Sequence, residues 1–151
     1  MRARSMKVID LAVRIVATIP MGTPLRECAK TMRAQHVGSL VVVNEANQPV
    51  GMLTDRDIAI EVVALNRDID ALKADDIMAT PVATATEYEG VVDALARMRE
   101  LGIRRLPIVD ANRVIVGIVT SSNIMEELSV MLDSLVRSVK SSKTREIAQR
   151  P

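Results

Sequence analysis

Thr54-Asp55-Arg56-Asp57 is the tightest grouping of chemically capable side chains in this sequence. A hydroxyl and a carboxylate three residues apart meet when a helix starts between them. Two uses follow. The pair can close on itself, each side chain taking a backbone N–H, and cap the helix. Alternatively, the carboxylate can accept two hydrogen bonds from neighbouring hydroxyls of a ligand. The Thr hydroxyl and the exposed N–H groups of the helix start would then hold an anion, and Arg56 would add charge. Both readings rest on the same helix-terminus physics, and the residues alone do not separate them. An offset of 66 residues leads to Thr120-Ser121-Ser122-Asn123. Here Asn123 replaces the acid and Ser122 replaces the arginine. Asn accepts one bond and donates another, but lacks the ionic two-oxygen acceptor.

Arg104-Arg105 is the second candidate. Guanidinium forks bind phosphate bidentately, so adjacent arginines suit a polyphosphate. The plainer alternatives are a solvated strand start or an ion pair with a nearby acid. Adjacent strand residues point to opposite faces, which predicts that one of the two serves a site. The other chemical candidates are poor. His36 is the only histidine and Cys28 the only cysteine, so a metal site has no ligand set. No nucleophile-elbow or Walker-type loop is present. Cys28 lies on an apolar helix face, as a buried inert thiol would.

Composition narrows the classes further. One Tyr, no Phe and no Trp leave no aromatic platform for stacking single-stranded nucleic acid. A net charge of +1 gives no field favouring DNA or an anionic membrane. No apolar run reaches membrane-spanning length, and no signal-like block follows the basic start Met1-Arg2-Ala3-Arg4-Ser5. A lone cysteine fits a reducing compartment. We therefore expect a soluble cytoplasmic protein that binds neither nucleic acid nor membrane.

The elements that must position these residues occur twice. Asp10–Ile58 aligns without gaps on Asp76–Ile124, with 12 of 49 positions identical, among them Val-Ala-Thr and Val-Gly-x-x-Thr. Each copy reads β-α-β-β-α. Short strands are predicted at Ile15–Thr18 and Val82–Thr84. A helix follows, with Thr23 as N-cap and Pro24 at its first position in copy one, and a capping box at Thr86–Glu89 in copy two. Two apolar runs around a polar turn come next: Leu40–Val43 and Val50–Leu53, then Leu106–Val109 and Val114–Val119. A last helix opens after Thr54 and after Thr120. One copy of about 50 residues is marginal alone, so two copies packed sheet to sheet around a shared core are expected. Lys7–Val13 should pack alongside, and Glu61–Ala74 should link the halves. Beyond Asn123 the apolar residues Ile124, Leu128, Met131, Leu132, Leu135 and Val139 continue at helical spacing. Lys140–Pro151 is polar and is expected to fray.

Several stretches carry a family resemblance. They are His36–Val43 followed by Pro49–Ile58, then Asp76–Met78, Gly102–Asp110 and Val116–Thr120. Their order, spacing and duplication resemble the cystathionine-β-synthase (CBS) domain, and a tandem pair of these is a Bateman module. The resemblance covers roughly residues 8–130. It implies an α+β fold of two packed motifs with pseudo-two-fold symmetry, at residues 8–66 and 74–130, with 131–151 as an extension. It further implies clefts between the sheets for an adenosine-containing ligand. Thr54, Arg56 and Asp57 would hold its ribose and phosphates in one cleft; Thr120 and Asn123 would do so more weakly in the other. Arg104, Arg105 and the adjoining Pro107 would approach phosphates, where copy one has Gly38-Ser39, allowing close backbone approach without charge. Thr18, Ile19, Pro20 and Thr84 occupy positions that line the base pocket in relatives. Val37 and Ile103 would be core with partial pocket contact. The implied function is non-catalytic: a homodimer sensing AMP, ADP or ATP as a regulatory ligand and signalling through a protein partner. A ligand-independent scaffold, or a sensor of S-adenosylmethionine, NAD(H) or a cyclic dinucleotide, is the alternative.

Overall fold

The computed structural model describes residues 6–149; the basic start 1–5 and the last two residues of the tail lie outside the described residues. The elements alternate in two matching halves. The first half holds α1 (Val8–Leu11), β1 (Thr18–Pro20), α2 (Leu25–Gln35), β2 (Ser39–Val43), β3 (Pro49–Thr54) and α3 (Asp55–Ile58). The second holds α4 (Ala74–Ile77), β4 (Ala85–Thr86), α5 (Val91–Leu101), β5 (Arg105–Val109), β6 (Ile115–Thr120) and α6 (Ser121–Gln149). A π-helical turn at Ala59–Val63 and a 3-10 turn at Ile69–Ala71 lead from one half to the other. This is a mixed α+β fold.

Each half forms a three-stranded sheet, β1-β2-β3 and β4-β5-β6. The first pair in each is parallel and the second antiparallel. Both antiparallel pairs shift register at their far end, at Val42/Val43 and Ile108/Val109. The turns are closed by one side chain each. Asn44 Oδ1 accepts the N–H groups of Ala46 and Gln48, and Asp110 Oδ1 accepts those of Asn112 and Val114.

Three local expectations are corrected. The first strands start three residues later than predicted, because the backbone joins β2 only from Thr18, opposite Val41. Thr23 does not cap α2: its hydroxyl donates to the Pro20 carbonyl and Pro24 sits at the cap. Helix α5 has Gly90 as cap, and Thr86–Glu89 closes a turn instead. Glu89 is taken by Arg97, whose guanidinium also donates to the Thr84 carbonyl at 2.7 Å.

The core is not one shared interior. Leu25, Cys28, Leu40, Val42, Leu53 and Val62 centre one cluster; Ala94, Leu106, Ile108, Val119 and Ile124 centre the other. Each is completed by the lead helix of the opposite half. Val8 of α1 is buried among second-half residues, and Ala74 of α4 among first-half residues. The bridges outside the sheets repeat the exchange. Val13 pairs with Ile118 and Met52 with Ala79; Lys7 pairs with Gly90 and Pro24 with Lys73. These are two pairs of equivalents under the 66-residue offset, the signature of a pseudo-two-fold axis.

Helix α6 runs without interruption to Gln149, so Lys140–Gln149 is helical and not frayed. Lys, Arg, Glu, Ala and Gln are good helix formers, and no Gly or Pro interrupts them. Among the described residues, no helix is long and apolar enough to cross a membrane.

Candidate functional site

Thr54 ends β3 in extended conformation and caps α3. Its hydroxyl accepts the Asp57 N–H at 3.1 Å, and Asp57 Oδ2 accepts the Thr54 N–H at 2.9 Å. Thr120 and Asn123 repeat the arrangement at 3.0 and 3.2 Å. The cap is therefore real in both halves. It occupies one carboxylate oxygen of Asp57 and the only side-chain oxygen of Asn123. Among the described residues Asp57 Oδ1 makes no hydrogen bond, so the acid keeps a second oxygen that the amide lacks, although Asp57 itself does not line the adjoining cavity.

The exchange of segments between halves decides what surrounds each cap. A cavity of about 610 Å³ is lined by Met52, Thr54, Arg56, Gly102, Ile103, Arg104 and Arg105. It adjoins a second cavity of about 470 Å³, lined by Met52, Ala79, Pro81, Val82, Ala83, Leu101, Ile103 and Arg105. The two share Met52, Ile103 and Arg105, so a cationic cavity lies beside one that is apolar apart from Arg105. Both volumes fall in the range of small-molecule sites. The pseudo-symmetric cleft, about 210 Å³, is lined by Val13, Ile15, Val16, Ala17, Val37, Ser39, Val41, Arg105, Ile118, Thr120 and Asn123. Its only ionic side chain is Arg105.

Arg104 thus lines the cavity of the first-half cap and not that of its own half, while Arg105 lines both. All three arginines of the first cleft are exposed, and among the described residues none is in an ion pair. Both Arg104 and Arg105 reach the cavity, against the expectation of one, because Arg104 precedes β5 and strand alternation does not govern it.

Other expected positions lie elsewhere. Ile19 is buried in the first core, and Pro107 is fully buried within β5. Thr18 and Pro20 line a separate hollow with Met21 and the Asn44–Asn47 turn. Thr84 supplies its carbonyl to Arg97. Gly38 accepts the Asp55 N–H and lies 3.1 Å, at a notional Cβ, from the Asp55 carboxylate. The later strand start explains the shift: Val13 with Ile15–Ala17, and Ala79 with Pro81–Ala83, one step upstream, line the clefts. Their sequence signal was the repeated Val-Ala pair, Val16-Ala17 and Val82-Ala83. Among the described residues no cluster of His, Cys, Asp or Glu could hold a metal ion.

Comparison with known proteins agrees with this architecture. The CBS domain family matches twice, over residues 8–64 and 74–130. An uncharacterized protein of Methanopyrus kandleri is 43% identical over 126 residues, which are 82% of this chain and 63% of that protein; this chain thus spans under two thirds of that relative's length. Among solved structures, the CBS domain pair of MJ0100 in complex with 5-methylthioadenosine and S-adenosyl-L-methionine is 31% identical. It has a TM-score of 0.72, covering 82% of this chain and 99% of that one. A CBS domain protein from Pyrobaculum aerophilum, complexed with AMP, is 26% identical with a TM-score of 0.74, covering 85% and 97%. With two matches spanning most of its length and the exchanged two-sheet fold, the chain belongs to the CBS domain family as a tandem pair.

Proposed function

We propose that this chain is a non-catalytic regulatory module that binds an adenine nucleotide, AMP, ADP or ATP, in the cleft at Thr54. The observation that carries this reading is the convergence of Arg56, Arg104 and Arg105 with Thr54 on one cavity that adjoins a largely apolar one. Ile103, Val82 and Ala83 suit the faces of a purine. The guanidiniums suit phosphates, and Asp57, held to the cavity-lining Thr54, offers Oδ1 as the acceptor we assign to ribose hydroxyls. Three arginines disfavour the sulfonium and ammonium of S-adenosylmethionine by like-charge repulsion. Support also comes from the AMP complex of the Pyrobaculum relative. The second cleft, smaller and with Arg105 as its one charged side chain, binds such ligands more weakly or not at all. Residues 8–66 and 74–130 are the two halves of the sensor. The remainder of α6 is its output element, acting through self-association and a protein partner. A cytoplasmic setting suits the single buried thiol.

Thermal melting with adenosine, AMP, ADP, ATP and S-adenosylmethionine tests the reading, since a ligand of the native state raises Tm by mass action. The phosphorylated compounds should raise it most. No shift with any of them, and no adenosyl compound retained in native mass spectrometry, would replace the sensor with a ligand-independent scaffold.

A further inference from the structure

Helix α6 leaves its module after Ile124, the one buried residue within it. Beyond that point Met125, Leu128, Leu132, Leu135 and Val139 are spaced 3, 4, 3, 4 and stand 47% to 64% exposed. That is the a/d spacing of a coiled-coil seam. The charges of the helix are segregated. Residues 121–135 carry three acids, Glu126, Glu127 and Asp133, and no base. Residues 136–149 carry four bases, Arg137, Lys140, Lys143 and Arg145, and one acid. An anionic or cationic surface would complement only one half of this helix. A second copy running antiparallel complements both, and the opposed helix dipoles favour the same direction. A parallel pair would set like charges side by side.

From this we infer that α6 is a self-docking surface, pairing with α6 of a second copy as an antiparallel two-helix coiled coil. Matching a to d positions sets Leu128 against the partner's Val139 and Leu132 against the partner's Leu135. This names the surface for the self-association in the proposed function, and it does not depend on the ligand.

The test uses disulfide trapping in the full chain, because Cys28 is buried. Leu128→Cys and Val139→Cys proteins are mixed in equal amounts, mildly oxidised and resolved by intact mass. The expected product is predominantly the mixed 128–139 disulfide, and Leu132→Glu in both chains should reduce it about tenfold by burying a charge in the seam. Predominant same-position disulfides would mean parallel pairing. A yield no greater than that of Val130→Cys, on the opposite helix face, would mean that another partner or solvent covers α6. Either result overturns the inference. All substituted side chains are exposed within the chain, so far-ultraviolet circular dichroism should be unchanged. Nucleotide-dependent melting that survives such a result leaves the ligand reading standing and removes this one alone.

Discussion

Thr54 and Asp57 hold each other's backbone N–H groups, at 3.1 and 2.9 Å, and Thr120 and Asn123 do the same. The second pair shows that an amide serves the cap as well as an acid. Asp57→Asn should therefore leave Tm within about 1 °C of the parent. It should nevertheless weaken nucleotide binding about tenfold or more, since a charged acceptor is worth about 1.5–3 kcal/mol. Melting curves and calorimetric titration read the two effects separately. Equal loss of both would make Asp57 a cap and nothing else.

Arg56 and Arg104 come from opposite halves to one cavity. Replacing either with Ala should weaken ATP far more than adenosine, by about tenfold or more, because each guanidinium–phosphate contact is charge-assisted. The preference should shrink as salt rises. Titrations of both ligands at two ionic strengths check it; equal loss for adenosine and ATP would contradict the assigned polarity of the cleft.

Gly51 faces the crossing segment. A Cβ there would meet Met78 Cγ at 2.8 Å and the Ala79 carbonyl at 3.2 Å. Gly117, its equivalent, would meet the Val13 carbonyl at 3.2 Å. Met78 can swing aside, but a carbonyl bridged to Met52 cannot. Gly51→Ala should destabilise by about 1 kcal/mol, after the strand gains what Ala contributes over Gly. Urea unfolding measures this, and a neutral or stabilising result would mean the exchanged segment is loosely held.

Burial pushes the Cys28 thiol up from its ordinary value to about 11. Below about pH 9 the thiol is protonated in both states and contributes no pH dependence. From about pH 9 to about pH 11 the unfolded chain ionises it while the folded chain does not. Stability therefore falls as pH rises through that window. Comparing urea midpoints at about pH 8 and about pH 10.5, Cys28→Ala should lose less stability than the parent. The folded parent should also resist thiol reagents, and rapid labelling would contradict the burial.

Sequence by itself determined the duplication, the order of elements, the strand cores at Leu40–Val43 and Leu106–Val109, and the helix starts after Thr54 and Thr120. These depend on contacts within a few residues or on strict alternation, which a linear pattern records. It also marked Gly51 and Gly117 as identical without giving the reason. Tertiary structure alone decided the partnerships. The lead helices and Val13 and Ala79 cross to the opposite half, because each sheet's apolar face and free edge are completed only by the other copy. That crossing puts Arg104 and Arg105 beside Thr54 and leaves Asn123 with Val37, Ser39 and, of the arginines, Arg105 alone. It also moves the cleft lining from Thr18–Pro20 and Thr84 to the residues before them. Two halves of nearly equal pattern thus acquire unequal clefts, because Arg56 and Arg104, separated along the chain, are gathered on one side of the pseudo-two-fold axis while Arg105 lines both clefts.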